Sequence, residues 1–192
     1  KITSVAKQLP KYSRSTADIL PYLEVWLSGQ EERLRRKVLK IFENAGVDRR
    51  YSIMDAEDVF LNTSFEEKND IYVREVIKLA ESVLLKSLKK AKLKPDDIDY
   101  IITVSCTGIM IPSLDAYLIN RLKMKQDIVR LPVTEMGCAA GVSGIIYAKK
   151  FSKGQSQQAS GCDCCGVTNG NFSVRGFFNG KYCECRYFWR WR

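Results

Sequence analysis

A run of nine residues, IDYIITVSC at positions 98–106, constrains the fold more than any other part of this sequence. Apolar and β-branched residues fill most of it, and Asp99 is its single charged residue. Such a short apolar run is typical of a strand that is buried inside a sheet. A second run, DIVRLPVT at residues 127–134, predicts another strand.

Four segments with apolar residues at helical spacing surround these runs. They cover residues 31–44, 69–92, 114–122 and 139–149. The first two are amphipathic, whereas the last has almost no polar face in its first two turns and is expected to be buried. Helices that alternate with apolar strands predict a layered α/β domain.

The pattern stops at Phe151. Residues 152–192 show no sustained helical or strand period, and they hold five of the seven cysteines. The spacings of those cysteines, Cys-x-Cys-Cys and Cys-x-Cys, differ from the two to four residues that separate paired ligands in structural zinc sites, so we expect no metal site. We therefore divide the chain into a folded region, residues 1–151, and an irregular tail, residues 152–192.

The composition limits the function further. Histidine is absent, which removes Ser-His-Asp and Cys-His catalytic sets from this chain. No run approaches the roughly 18 apolar residues of a membrane-spanning helix, and the start lacks a secretory signal, so we expect a cytoplasmic protein. Lys and Arg exceed Asp and Glu by 31 to 22. That excess suits nucleic acid, an anionic membrane or a phosphorylated small molecule.

Cys138 is the candidate nucleophile. It lies in the sequence MGCAAG, between the second predicted strand and the last predicted helix. A thiol at a helix N-terminus faces unpaired N–H groups and the positive end of the helix dipole, which lower its pKa and favour the thiolate. A cysteine between glycines and alanines can equally be a packing residue, and the motif alone does not decide between the two.

Two longer segments resemble a known family. Residues 104–122, VSCTGIMIPSLDAYLINRL, and residues 133–151, VTEMGCAAGVSGIIYAKKF, are similar to the N-terminal half of type III polyketide synthases, the chalcone and stilbene synthases. The resemblance implies the N-terminal portion of a thiolase-like layered αβαβα fold, here truncated and followed by the irregular tail. It also implies a homodimer for the intact protein.

The resemblance assigns a role to Cys138. In this family the cysteine accepts an acyl group from a coenzyme A thioester, and decarboxylative condensation of malonyl-CoA then extends that group. Acyl-CoA and malonyl-CoA are therefore the expected partners, as substrates rather than cofactors, with no nucleic acid and no membrane. By position, Cys106, Thr107 and Ile111 border the substrate cavity or the dimer surface, where the family often has Thr, Ser and Met.

The family also binds the phosphates of coenzyme A with basic residues on a helix that precedes an Arg-Arg-Tyr segment. That segment is found here at residues 49–51. Counting back from it, Lys37 and Lys40 match two of the basic positions, and Asn44 replaces the third. A basic helix face is also common as a merely solvated surface.

The tail is consistent with a displaced reading frame. In that frame each codon uses the last two bases of a visible codon and the first base of the next. From Thr168 the hidden frame can read PTATFQLEDFSMANIVSAAIFGDG, which resembles the family's next segment. Over residues 152–167 it permits LKANPNKRVAVIAVES, a helix end, a turn and a buried strand. We interpret residues 152–192 as a frameshifted, non-native tail.

The sequence thus predicts a fragment of an acyltransferase. The family needs a His and an Asn from its C-terminal half to stabilise the thioester oxyanion, and this chain has no His, so we expect it to be inactive. One alternative is a condensing enzyme like ketoacyl-ACP synthase III, which shares the fold and the cysteine. Another is a small basic nucleic-acid-binding module, if the tail is genuine.

Overall fold

The computed structural model describes residues 2–60, 64–105, 108–134, 136–154, 162–168 and 184–189. For residues 138, 152–154 and the last two of these ranges it describes the backbone alone. No helix in these ranges is long and apolar enough to cross a membrane. The elements in chain order are β1 (Lys7–Gln8), β2 (Tyr12–Ser15), α1 (Thr16–Trp26), α2 (Glu32–Glu43), β3 (Arg49–Ser52), α3 (Ala56–Phe60), α4 (Phe65–Ala91), β4 (Tyr100–Val104), α5 (Leu114–Leu122), β5 (Val129–Val133), α6 (Ala140–Gly154), β6 (Cys162–Thr168) and β7 (Glu184–Trp189).

A five-stranded sheet forms the centre, in the order β1-β7-β6-β4-β5. Strand β4 pairs in parallel with both β5 and β6, whereas β7 is antiparallel to β6 and to β1. The two strands predicted from residues 98–106 and 127–134 are confirmed as β4 and β5. All of β4 is buried, as its apolar composition requires.

Helices α4 and α5 cover one face of the sheet. Buried residues of α4, among them Val76, Ala80 and Leu84, form one core cluster with Ile101 of β4 and Leu118 of α5. Helix α4 begins at Phe65, four residues before the predicted start. The reason is a capping box, in which the Ser64 hydroxyl accepts the N–H of Glu67 and the Glu67 carboxylate accepts the N–H of Ser64.

Helix α6 covers the opposite face. Ala140 and Ala148 are buried there with Tyr100, Ile102 and Val104 of β4. The predicted burial of this helix is only partly correct, because Val142 and Ile146 are 62% and 48% exposed. These two residues are four positions apart and lie on one side of the helix, which no described element covers. The layered α/β architecture itself is confirmed.

Most of the first sixty residues form a smaller unit, of which the sequence predicted only the helix that is observed as α2. Strands β2 and β3 form a separate antiparallel pair, and α1 packs against α2 and α3. The signal for α1 is a capping box between Ser15 and Asp18. The tail, expected to be irregular, contains strands β6 and β7 among its described residues.

Candidate active site

The carboxyl ends of β4 and β5 form one edge of the sheet. Val104 and Val133 are register partners at these ends, and the Ser105 N–H donates to the Val133 carbonyl at 3.0 Å. The segments that follow the two strands therefore leave the sheet side by side. In open α/β sheets, ligands bind at this edge, outside the carboxyl ends of parallel strands.

Cys138 lies at this edge in a single 3₁₀ turn, Gly137–Ala139, which runs directly into α6. Gly137 adopts a left-handed backbone with φ of 55°, a conformation that glycine accepts without steric cost. The backbone of Cys138 is thus at a helix start, as predicted. Unpaired N–H groups at such a start favour a thiolate, and the nucleophilic role of Cys138 stays a prediction.

Small residues hold α6 close to the sheet. A Cβ built on Gly144 would lie 3.0 Å from Cγ2 of Val104, so glycine permits this approach. Further along the helix, the ring of Phe151 packs on Tyr100 with 5.3 Å between ring centres. Two contacts along one helix fix its axis, and they thereby fix the turn that carries Cys138.

The segment after β4 carries the three predicted cavity residues. Cys106 and Thr107 lie outside the described residues. Ile111 is 91% exposed and lies among other exposed apolar residues of the segment, such as Ile109. The structure therefore brings this segment and the Cys138 turn to one sheet edge, and it leaves Ile111 open to a further surface.

Two residues of α4 hold this segment, and sequence reasoning missed both. Asn69 donates from Nδ2 to the Ile109 carbonyl at 3.0 Å and accepts the Ile109 N–H on Oδ1 at 2.9 Å. The Tyr72 hydroxyl hydrogen-bonds the hydroxyl of Ser105, and its ring lies under Gly108. No local pattern signals these contacts, because the partners are 33 to 40 residues away in sequence.

Lys37 and Lys40 lie on another part of the fold. Both are exposed on α2, which packs against α1. Neighbouring Arg35 and Arg36 are paired with Glu32, at 2.9 and 3.2 Å. Neither lysine is in an ion pair with a described carboxylate. The structure thus leaves their two charges available, and it does not bring them into contact with the Cys138 turn.

Arg50, in the Arg-Arg-Tyr segment, has a structural role. Its guanidinium stacks on the ring of Phe42 at 3.6 Å and donates to the carbonyls of Phe42 and Val47. It also hydrogen-bonds the hydroxyl of Thr16. The residue therefore joins the end of α2 to β3 and the start of α1.

Shifted pKa values mark structural contacts away from this sheet edge. A hydrogen bond from Arg14 lowers the pKa of Asp55, and a hydrogen bond to Asp99 raises the pKa of Lys125. Asp99 directly precedes β4, at the opposite end of the strand from Cys138. No cluster of three metal-ligating side chains occurs among the described residues.

Comparison with known proteins places these features in a family. The profile described as "Chalcone and stilbene synthases, N-terminal domain" matches residues 2–169. A 1,3,6,8-tetrahydroxynaphthalene synthase of Streptomyces coelicolor is 40% identical over 113 residues, 59% of this chain and 30% of that protein. A phloroglucinol synthase of Pseudomonas fluorescens is 32% identical over 114 residues, 59% of this chain and 33% of that protein.

Solved structures show the same likeness. The crystal structure of the Streptomyces coelicolor synthase, a bacterial type III polyketide synthase, has a TM-score of 0.79 and 29% identity to this chain. The match covers 87% of this chain and 47% of that one. The present chain thus spans a third to a half of the length of these relatives, and its architecture is that of the N-terminal part of a thiolase-like fold.

Proposed function

We propose, because this chain belongs to the chalcone and stilbene synthase family, that its gene encodes an acyltransferase that condenses malonyl-CoA with an acyl-CoA starter. The observation that carries the proposal is the placement of Cys138 in the turn between β5 and α6, at the edge where the segment after β4 also emerges. A thiolate there would form the covalent intermediate.

The chemistry divides into two steps. The Cys138 sulfur attacks the thioester carbonyl of the starter, the C–S bond to coenzyme A breaks, and coenzyme A leaves as a thiolate that takes a proton. Malonyl-CoA then loses CO₂, and the resulting carbanion attacks the enzyme-bound acyl carbonyl, which releases the Cys138 thiolate. Both steps pass through an oxyanion that needs fixed hydrogen-bond donors.

This chain lacks one of the donors that the resemblance implies for the condensation. It contains no histidine, and the family takes its His and Asn from the C-terminal half. We therefore infer that the 192-residue chain by itself does not complete the reaction. Purified chain given malonyl-CoA and an acyl-CoA should release neither CO₂ nor polyketide, and turnover would contradict the inference.

Lys37 and Lys40 are proposed to bind the phosphates of coenzyme A. Their support is exposure on one stripe of α2, where residues three positions apart are neighbours, and the absence of an ion pair with a described carboxylate. The paired Arg35 and Arg36 have their charge partly neutralised by Glu32, so the two lysines are better phosphate ligands than these two arginines.

The exposed apolar residues support a homodimer of the intact protein. Ile109, Ile111, Val142 and Ile146 are all large, apolar and exposed in this chain. Large apolar side chains exposed together on one element, as on this segment and on α6, are typical of interaction surfaces. We propose a second copy as the occupant, because a closed two-fold dimer is the commonest assembly of soluble proteins.

The displaced reading frame of the tail remains a proposal, and the position of β6 supports it. This strand lies between β4 and β7, and Asp163 is the register partner of Ile101, which is fully buried in the core. A central parallel strand needs an apolar sequence. The visible sequence, CDCCGVT, does not provide one.

The hidden codons provide what this position requires. Whatever bases occupy the wobble positions, codons for Cys162 and Asp163 read in the displaced frame give Val or Ala and then Ile or Thr. Cys164 and Cys165 each give Val or Ala. Four consecutive hidden residues are thus compatible with a buried strand at the register where the visible sequence has an aspartate.

Two experiments test the function and the frame separately. Sequencing the gene across codons 147–156 and past codon 192 should reveal one missing or extra base; an intact written frame would contradict the displaced frame and favour the basic nucleic-acid-binding module. In the frame-restored protein, Cys138→Ala should abolish acyl-enzyme formation from acyl-CoA, measured by intact mass. Activity with malonyl-ACP but not malonyl-CoA would favour the ketoacyl-ACP synthase alternative.

A further inference from the structure

The segment that connects β4 to α5 contacts α4 at Ser105, Gly108 and Ile109. It begins at Ser105, directly after the last residue of the strand, and ends before Ser113, which precedes α5. Such connecting segments lie on the surface and commonly carry functional residues on a rigid scaffold. What holds the described part of this one is visible in the side chains of α4.

Asn69 binds the backbone of Ile109 in both directions. Its amide donates to the carbonyl and accepts the N–H, at 3.0 and 2.9 Å, as a neighbouring strand would. The Asn69 side chain therefore satisfies both the N–H and the carbonyl of Ile109. Asn is suited to this task because its terminal amide carries a donor and an acceptor, whereas Asp has only acceptors and Ala has neither.

Tyr72 contacts the segment just before Ile109, at Ser105 and Gly108. It is almost completely buried, and its hydroxyl is hydrogen-bonded to Ser105. Its ring occupies the space beside Gly108, where an added Cβ would lie far closer to the ring carbons than real contacts allow. Any side chain at position 108 would consequently push the segment off α4.

We propose that Asn69 and Tyr72 are positioning residues, which set where Ser105 and residues 108–112 lie relative to the Cys138 turn. The two contacts flank positions 106 and 107 and precede Ile111, the three residues that the resemblance assigns to the cavity or dimer surface. An effect of Asn69 and Tyr72 on which acyl groups the site accepts rests on the proposed function. The positioning of the segment by these two residues does not.

The geometry predicts a graded response at position 69. Asn69→Ala removes both hydrogen bonds to Ile109, whereas Asn69→Asp keeps an acceptor for the N–H and places a second oxygen against the carbonyl. Because Asn69 is near the surface at the start of α4, neither change opens a core cavity. The matched control is Asp70→Asn, the neighbouring exposed position.

The first measurement is amide exchange of the full 192-residue chain, read at Ile109. Exchange should be fastest in Asn69→Ala, intermediate in Asn69→Asp and unchanged in Asp70→Asn. Loss of two hydrogen bonds predicts acceleration of roughly tenfold in the alanine variant. Unchanged exchange in both Asn69 variants would overturn the proposal.

The second measurement separates local positioning from general loss of stability. The alkylation rate of Cys106 is compared with that of Cys138 in the same molecule. Asn69→Ala and Tyr72→Phe should change the ratio of the two rates, because one cysteine is on the segment and the other is on the opposite turn. A common change of both rates at constant ratio indicates destabilisation only and contradicts the proposal.

A compensating pair provides a further check. Gly108→Ala should lower the melting temperature in the unmodified protein and lower it less in a Tyr72→Ala background, where the ring that the new methyl group meets is absent. Equal losses in the two backgrounds would argue against the ring contact. None of these readouts requires acyl transfer, so failure of the proposed function would appear separately, as a frame-restored protein that no acyl-CoA acylates.

Discussion

Asp115, fully buried in the first turn of α5, forms an ion pair with Arg130 of β5, Nε to Oδ2 at 2.5 Å. The other carboxylate oxygen accepts a hydrogen bond from the hydroxyl of Thr103 at 3.3 Å. The pair thus joins α5 to β4 and β5 just below the edge where the candidate site lies. A buried carboxylate needs such a partner, since an unpaired charge in the core is costly.

Removing Arg130 should therefore lower the stability of the protein strongly. Arg130→Met leaves Asp115 buried without its counter-charge, and we expect a loss of about 3 kcal/mol in the free energy of unfolding, measured by urea denaturation. Arg121→Met, which breaks the exposed pair with Glu81, is the control and should cost under about 1 kcal/mol. Equal losses in the two variants would contradict the expectation that the pair with the buried carboxylate contributes more to stability than the exposed pair.

The Arg14–Asp55 pair predicts a pH dependence. The hydrogen bond from Arg14, at 2.7 Å, and then the N–H of Ala56 hold the pKa of Asp55 below its value of 3.8 in an unfolded chain. The stabilisation is complete above that unfolded pKa and is lost as the pH falls through the lower folded pKa. Arg14→Met should therefore reduce the fall in stability between neutral and acid pH.

This prediction is checked by unfolding experiments over a series of pH values from neutral to strongly acid. The control is Arg33→Met, which removes an exposed arginine outside any ion pair among the described side chains. Its pH profile should follow that of the unmodified protein. An Arg14→Met profile parallel to both would show that the pair does not couple Asp55 to folding.

The two glycines of α6 offer a matched comparison. Gly144→Ala places a methyl group 3.0 Å from Val104, and we expect a loss of about 1–2 kcal/mol from overpacking. Gly141→Ala meets nothing within 4 Å, and the better helix propensity of alanine should stabilise by about 0.5–1 kcal/mol. Adding Val104→Ala to Gly144→Ala should recover part of the lost stability, because it removes the methyl group that the new side chain meets. Thermal unfolding of all three measures the difference.

The basic stripe of α2 predicts phosphate binding. Lys37→Ala and Lys40→Ala should each weaken binding of coenzyme A to the chain by roughly fivefold, with weaker salt dependence, measured by calorimetry. Lys89→Ala, an exposed lysine at the end of α4, should have no effect. Equal binding by the unmodified chain and the double Lys37→Ala/Lys40→Ala variant would exclude this role.

Helices α2, α4, α5 and α6 and strands β4 and β5 could be predicted from the sequence, because their apolar spacing is determined by burial against one layer. Helix α1 was missed since Pro21 lies inside it and its apolar positions do not form a clear stripe. The β2–β3 pair was missed because RRYS and YSRS are polar and carry no alternating pattern. The outward side of α6 was missed because its apolar residues read as core.

The candidate site divides in the same way. Cys138 and the lysines of α2 have local signatures, namely a glycine-flanked cysteine at a helix start and a basic face. Asn69 and Tyr72 have none, because a side chain that binds distant backbone leaves no mark on its own neighbours in sequence. Only the folded arrangement of α4 beside the segment after β4 reveals them.

The position of each strand along the chain determines when it can pair with its neighbours during synthesis. Strand β4 is made before both of its neighbours, and β5 reaches it first, so a nascent chain that has just finished α6 presents one side of β4 with free peptide groups. Residues 162–168 close that side. Until residues 162–168 are made, the free side of β4 can pair with a strand of another nascent copy. This exposure lasts longer if residues 162–168 are too polar to pack stably into the core.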